Sequence, residues 1–212
     1  MTQQDAETGV THQRDAAEPA NPLKTRLLAG SQLLQTIRED RQTNLGWLEP
    51  GFHALAAYRL GRWALDARDE PTWKRRGAEL AYAVGHRVSV NVYGIDLPRT
   101  ASIGRRVVVQ EAAIGVHPQS VIGDDCVLRK GCTIGGTTGG DTFGEQAPVV
   151  GDGVSIGVNA VVAGRITVGD HAAIGPNAAV LRDVPAAATV IAPKPRVIQG
   201  LSSNVARVGD EG

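Results

Sequence analysis

Among the groups at outward-facing or irregular positions of this 212-residue chain, the carboxylate of Glu111 and the imidazoles of His117 and His171 have the chemistry of a base. Each can take a proton from a nucleophile, a service typically worth about a hundred- to ten-thousand-fold in rate. Glu111 follows Gln110 in the segment QEAAIG, His117 follows Val116, and His171 follows Asp170. Six residues of strand separate Glu111 from His117 by roughly 18 Å after the bend, at about 3.3 Å per residue, so the two form no dyad within one chain. His117 reads as a surface histidine or as a catalyst, and His171 as solvated. The two histidines belong well apart with no third ligand on a shared face, so no metal is expected.

What positions these groups is a six-residue period. Aliphatic residues fall at Leu97, Ile103 and Val109, then at Val116, Ile122, Leu128 and Ile134, and again at Val150, Ile156, Val162, Val168, Ile174 and Val180. Helices repeat at 3.6 residues and strands at 2, whereas a hexapeptide repeat predicts a parallel β-helix in which each repeat forms one side of a coil. With three sides, about eighteen residues make a turn, and turns stack at roughly 4.8 Å. Cys126 and Cys132 fall four places after a mark and are expected as small buried residues, not a disulfide. The period breaks twice. One residue too many between Val109 and Val116 makes QEAAIG bulge, and Gly135 to Val149 leaves the coil as an arm. Irregular backbone projects groups into clefts where regular rungs only stack.

The chain carries 22 basic and 22 acidic residues. That balance lacks the basic excess that nucleic-acid binding needs, and no apolar run reaches transmembrane length. The N-terminus is polar where a signal peptide requires an apolar core, so a cytoplasmic location and no membrane partner are expected. Residues 1–21 read as a disordered tail, 22–92 as an α-helical segment, 93–192 as the β-helix with a protruding loop at 135–149, and 193–212 as a C-terminal tail. Within the helical segment, Leu27, Leu28, Leu34 and Ile37 predict one helix, Phe52 to Leu65 a second, and Trp73 to about Val84 a third. Trp47, Trp63 and Trp73 are expected to pack, and the helices to cover the open strand edge of the first coil. Pro185, Pro193 and Pro195 are expected to stop the coil.

The segments GIDLPRTASIGRR, GGTTGGD and VIAPKPRVI, with PGFHALAAYRLGRW before the repeats, resemble the serine acetyltransferase family over roughly residues 50–198. The resemblance implies a left-handed β-helix, a homotrimer that pairs or does not pair into hexamers, and acetyl transfer from acetyl-CoA to a small hydroxyl or amine. In the family the bulge presents an Asp and the His that serves as general base; here Gln110 and Glu111 stand there. After the glycine-rich loop the family carries an Arg and a His for the substrate carboxylate, whereas here Asp141 is followed by Thr142 and Phe143. Asp96 of GID is kept. On the cofactor side Gly136 and Thr137 match the family's close backbone approach to CoA. Val158 and Pro176 replace alanines beside the pantetheine arm, and Lys194 and Arg196 read either as partners of a CoA phosphate or as solvated surface charge.

The expected catalytic set is therefore Glu111, Gln110 and His117, with Asp96, Asp141 and Phe143 on the acceptor. Solvated carboxylates are weak bases toward alcohols, and burial under a neighbour's arm strengthens them. An uncharged nitrogen attacks a thioester without a base, and loss of the guanidinium removes a bidentate carboxylate partner. Both point away from plain serine, toward a modified hydroxyl or a nitrogen acceptor. The competing reading is a non-catalytic trimer that keeps the scaffold in a structural or regulatory role.

Overall fold

The computed structural model describes residues 30–67, 69–136 and 147–194. Among the described residues, three helices, α1 (Gly30–Thr43), α2 (Pro50–Asp66) and α3 (Thr72–Val88), precede thirteen two- or three-residue strands. Pro50 opens α2 at a position where a missing N–H costs nothing. α3 runs past the expected end at Val84, widens into a π-helical turn over Ser89–Tyr93, and is turned back by Gly94 at φ 69°. That left-handed conformation suits a residue without a Cβ.

The strands wind as the parallel β-helix expected from the period, in the left-handed sense that the resemblance implies. A first face stacks β1 (Ser102–Ile103), β4 (Val121–Ile122), β7 (Val149–Val150) and β10 (Thr167–Val168). The second stacks β2 (Val108–Val109), β5 (Val127–Leu128), β8 (Ser155–Ile156), β11 (Ala173–Ile174) and β13 (Thr189–Val190). The third stacks β3 (Gly115–Val116), β6 (Thr133–Gly135), β9 (Val161–Ala163) and β12 (Ala179–Val180), and Asp96 extends it by a bridge to Gly115. Every aliphatic mark from Leu97 to Val180 is inside, none more than 6% exposed. Cys126 and Cys132 are fully buried free thiols.

One corner shows why the aliphatic mark is so often followed by glycine. The N–H groups of Arg105, Asp124 and Asp152 each donate to the Oδ1 of the aspartate one coil on, Asp124, Asp152 and Asp170, at 2.7, 2.7 and 2.9 Å. A Cβ at Gly123 or Gly151 would collide with that carboxylate.

The helices cover the first coil, and the covering is polar as well as apolar. The Tyr58 hydroxyl accepts the Ile103 N–H and donates to the Ala101 carbonyl, both at 2.9 Å. Asn44 donates from Nδ2 to the Val107 carbonyl and accepts the Val109 N–H. Arg59 donates to the Ile103 and Gly104 carbonyls while its Nε holds Asp40 at 2.8 Å in a buried ion pair. Burial pushes the Asp40 carboxyl up against the pull of Arg59. Burial also opposes the Arg59 charge, but Asp40 holds the guanidinium above its ordinary value.

Three expectations are corrected. In α1 the buried face runs through Leu33, Thr36 and Asp40, leaving Leu34 exposed, while Leu27 and Leu28 lie outside the described residues. Trp63 is core, but Trp47 and Trp73 are exposed: Trp47 meets the edge of Phe52 and the guanidinium of Arg41, and Trp73 lies under Lys74. Pro185 does not stop the coil. It sits at a corner where no ladder N–H is required, and β13 adds one further side paired with β11.

Candidate functional site

The outer surface of the third face gathers much of the expected site. Asp96 is fixed there by its own backbone, which donates to Ile114 O at 2.8 Å and accepts from the Val116 N–H at 3.0 Å. Next to it Gly115 has open space above it, since a Cβ would meet nothing within 4 Å. Thr133 stands one coil further on with its side chain outward. A notch results, walled by Asp96 and Thr133 and floored by Gly115.

The corner leading into this face carries the bulge. Gln110 is exposed, and its N–H joins the ladder to Leu128 O. Glu111 and Ala113 have φ of 67° and 60°, left-handed values that absorb the extra residue. The Ala113 N–H is taken by Tyr93 O, and Ala112 O accepts from Gly131. Glu111 is exposed, and its carboxylate meets Lys130 Nζ at 3.4 Å. Further along the same edge, the Asn159 N–H bonds Lys130 O and the Asn177 N–H bonds Val158 O. Ala112, Lys130, Val158 and Pro176 are thereby stacked in successive coils, about 14 Å from first to last. Base and cofactor candidates far apart in sequence thus share one edge.

His117 lies at the opposite corner of the third face. Its N–H donates to Ile134 O, and its Nδ1 accepts the Gln119 N–H at 3.3 Å, so the ring closes the turn. Gly136 ends the described part of the rung that begins the arm. Thr137, Asp141, Phe143 and Arg196 lie outside the described residues, and Lys194 is exposed near the last described position. His171 sits at another corner with φ 57°.

Two residues absent from the sequence-based set belong to this surface. Lys130 was findable by coil arithmetic, because one eighteen-residue turn plus the bulge carries Glu111 onto Lys130. His86, near the end of α3, brings Nε2 to 3.6 Å from Asp96 Oδ1. Its signal was hidden by a predicted helix end at Val84, which left His86 in a connector.

The bacterial transferase hexapeptide family, described as six repeats, matches residues 147–182. The serine acetyltransferase of Helicobacter pylori strain 26695 is 34% identical over 171 residues, covering 78% of this chain and 94% of that protein. The Salmonella typhimurium enzyme of the same name is 36% identical over 149 residues, 70% of this chain and 50% of its own length. The Mycobacterium tuberculosis one is 35% identical over 150 residues, 70% and 61%. The chain thus spans about half to three fifths of these two longer relatives. A solved Neisseria gonorrhoeae serine acetyltransferase superposes with a TM-score of 0.64 at 27% identity, covering 79% of this chain and 68% of that one. A serine acetyltransferase in complex with cysteine superposes at 0.63 and 28%, covering 80% and 66%.

Proposed function

This chain belongs to the serine acetyltransferase family, and from that membership we propose that it is an acyl-CoA-dependent acyltransferase. It moves an acetyl group from acetyl-CoA to a hydroxyl or amine of a small serine-like or modified amino-acid acceptor. The observation that carries the reading is the shared edge, along which Glu111 and Lys130 lead to Val158 and Pro176 and border the notch at Gly115.

The residues fit the co-substrate. Val158 and Pro176 offer two coils of partly exposed apolar surface without charge, suited to an apolar pantetheine arm. Gly136 and Thr137 would take the close backbone approach, and Lys194 and Arg196 the phosphates. When bound, acetyl-CoA supplies the acetyl group already activated as a thioester. The chain's own part is to orient the acceptor with Asp96, Gln110 and Glu111, to place a cation at Lys130, and to accept a proton. Asp141 and Phe143 on the arm complete the acceptor pocket, and His117 borders it.

The working form is a homotrimer acting in the cytoplasm, its clefts lying between adjacent β-helices. Support comes from Val161 and Leu181, which expose apolar side chains beside the third face. No helix among the described residues is long and apolar enough to cross a membrane.

Calorimetry with CoA and acetyl-CoA on the full chain tests the reading. Saturable binding, followed by release of CoA thiol in the presence of an acceptor, is expected. No binding at millimolar ligand rejects it in favour of a scaffold without catalysis.

A further inference from the structure

Glu111 already holds a cation, and the His86–Asp96 pair offers a different proton acceptor. We propose that His86, held by Asp96, is the general base of acyl transfer; this rests on the acyltransferase reading above. The imidazole belongs to the last turn of α3, and the π-helical turn over Ser89–Tyr93 with Gly94 folds the chain back so that Asp96 lies beside it. Its plane is set by Tyr82, stacked at 5.0 Å between centroids with the rings 18° apart. Tyr82 is itself clamped: its hydroxyl accepts the Arg99 N–H at 3.2 Å, its ring lies under the Arg99 guanidinium, and it packs where Gly61 leaves no side chain. Asp96 is joined on its other side to the Gly115 rung, where open space above the glycine leaves the backbone accessible to an acceptor.

The chemistry follows from which nitrogen faces the carboxylate. Nε2 is the ring nitrogen nearer Asp96, at 3.6 Å, and a neutral ring with its proton on Nε2 keeps a lone pair on Nδ1. Nδ1 takes the proton of the acceptor O–H as that oxygen bonds to the thioester carbonyl carbon. The C–S bond then breaks with its electron pair going to sulfur, and the imidazolium returns the proton to give CoA thiol. The sum is acceptor hydroxyl plus acetyl-CoA giving O-acetyl acceptor plus CoA, with no further reactant. Asp96 is a positioning residue that orients the ring from a half-exposed position 3.6 Å away, the role a carboxylate has beside a catalytic histidine.

The test compares wild type, His86→Gln, His86→Asn, Asp96→Asn and Glu111→Gln in the full chain. Each is assayed for acetyl-CoA binding by calorimetry and for CoA release with L-serine, L-homoserine, L-serinamide and hydroxylamine. Hydroxylamine presents an uncharged nitrogen and needs no base. Expected is a kcat loss of about a hundred- to ten-thousand-fold with the hydroxyl acceptors in both His86 variants, with acetyl-CoA affinity unchanged and hydroxylamine turnover within tenfold of wild type. A smaller loss of the same kind is expected in Asp96→Asn. Hydroxyl turnover within threefold of wild type in either His86 variant overturns the proposal while leaving the acyltransferase reading intact, as does a loss confined to Glu111→Gln. Equal losses with hydroxyl acceptors and hydroxylamine mark a structural role and also overturn it. Wild type that binds acetyl-CoA but turns over no acceptor overturns the base assignment, and wild type that does not bind it rejects the reading beneath.

Discussion

The side-chain amide of Asn44 reaches the backbone of Val109: its Oδ1 accepts the Val109 N–H at 2.7 Å, while its Nδ2 donates to Val107 O at 2.9 Å. One residue after α1 therefore acts as a substitute strand for β2, which has no preceding coil to pair with. Leaving a buried backbone donor or acceptor unpaired costs about 1–3 kcal/mol. Asn44→Ala strands one of each, so a loss of roughly 2–6 kcal/mol is expected in urea denaturation. An Asn44→Ala chain as stable as wild type would mean that water replaces the amide.

The ion pair between Asp40 and Arg59 makes a sharper case. Removing one partner of a buried pair typically costs about 3–5 kcal/mol because the other charge stays behind. Asp40→Asn should show that cost. Replacing both, as Asp40→Leu with Arg59→Met, often recovers stability elsewhere, but here it should not, because Arg59 also serves the Ile103 and Gly104 carbonyls. A double variant matching wild type by denaturant midpoint would show that those carbonyls need no partner.

How much of this was legible follows from range. The hexapeptide marks are local, and Leu97 to Val180 all point inward as the period requires. The bulge at Gln110 and Glu111 was readable as a break in counting. The cap was expected as a place, yet the polar groups that perform it were not, since Asn44, Tyr58 and Arg59 meet partners 43 to 65 residues away and no period links them. The His86–Asp96 contact was missed for a similar reason. It depends on α3 overrunning Val84 and on a π-helical reversal, neither of which apolar spacing encodes.

Acid should loosen the helical cap at a particular contact. Hydrogen bonding from Arg105, whose Nε donates at 2.9 Å, outweighs desolvation and holds the Glu39 carboxyl below its ordinary 4.5. A carboxyl with a lowered folded-state pKa adds stability that is complete above the unfolded value and disappears as pH falls through the folded one. Thermal melts should therefore show wild type exceeding Glu39→Gln by a constant margin above about pH 5, narrowing below pH 4.5. A pH-independent margin would remove the ion pair from the account.

The two thiols should be inert in the folded chain. Burial pushes Cys126 up to about 11 and Cys132 up to about 12. Thiolate is the reactive form, so a thiol reagent at pH 8 should label neither over hours in buffer and both in denaturant. Labelling of either at the rate of a free peptide cysteine would expose a local opening of the coil.

The cleft that transfer requires needs a second β-helix against the third face. Val161 is 37% exposed and pairs with Ala179 one coil on, and Leu181, two residues beyond Ala179, is 65% exposed, so apolar surface is left beside rungs whose inward Val162 and Val180 are already packed. Because both side chains point away from the core, a charge there disturbs association without disturbing the coil. Wild type should run as a trimer by light scattering. Leu181→Glu should shift toward the monomer, keep the wild-type circular dichroism spectrum, and lose acetyl-CoA binding together with the trimer. A trimer that survives Leu181→Glu with binding intact would place the cleft on another face, and the edge through Val158 and Pro176 would lose its opposite wall.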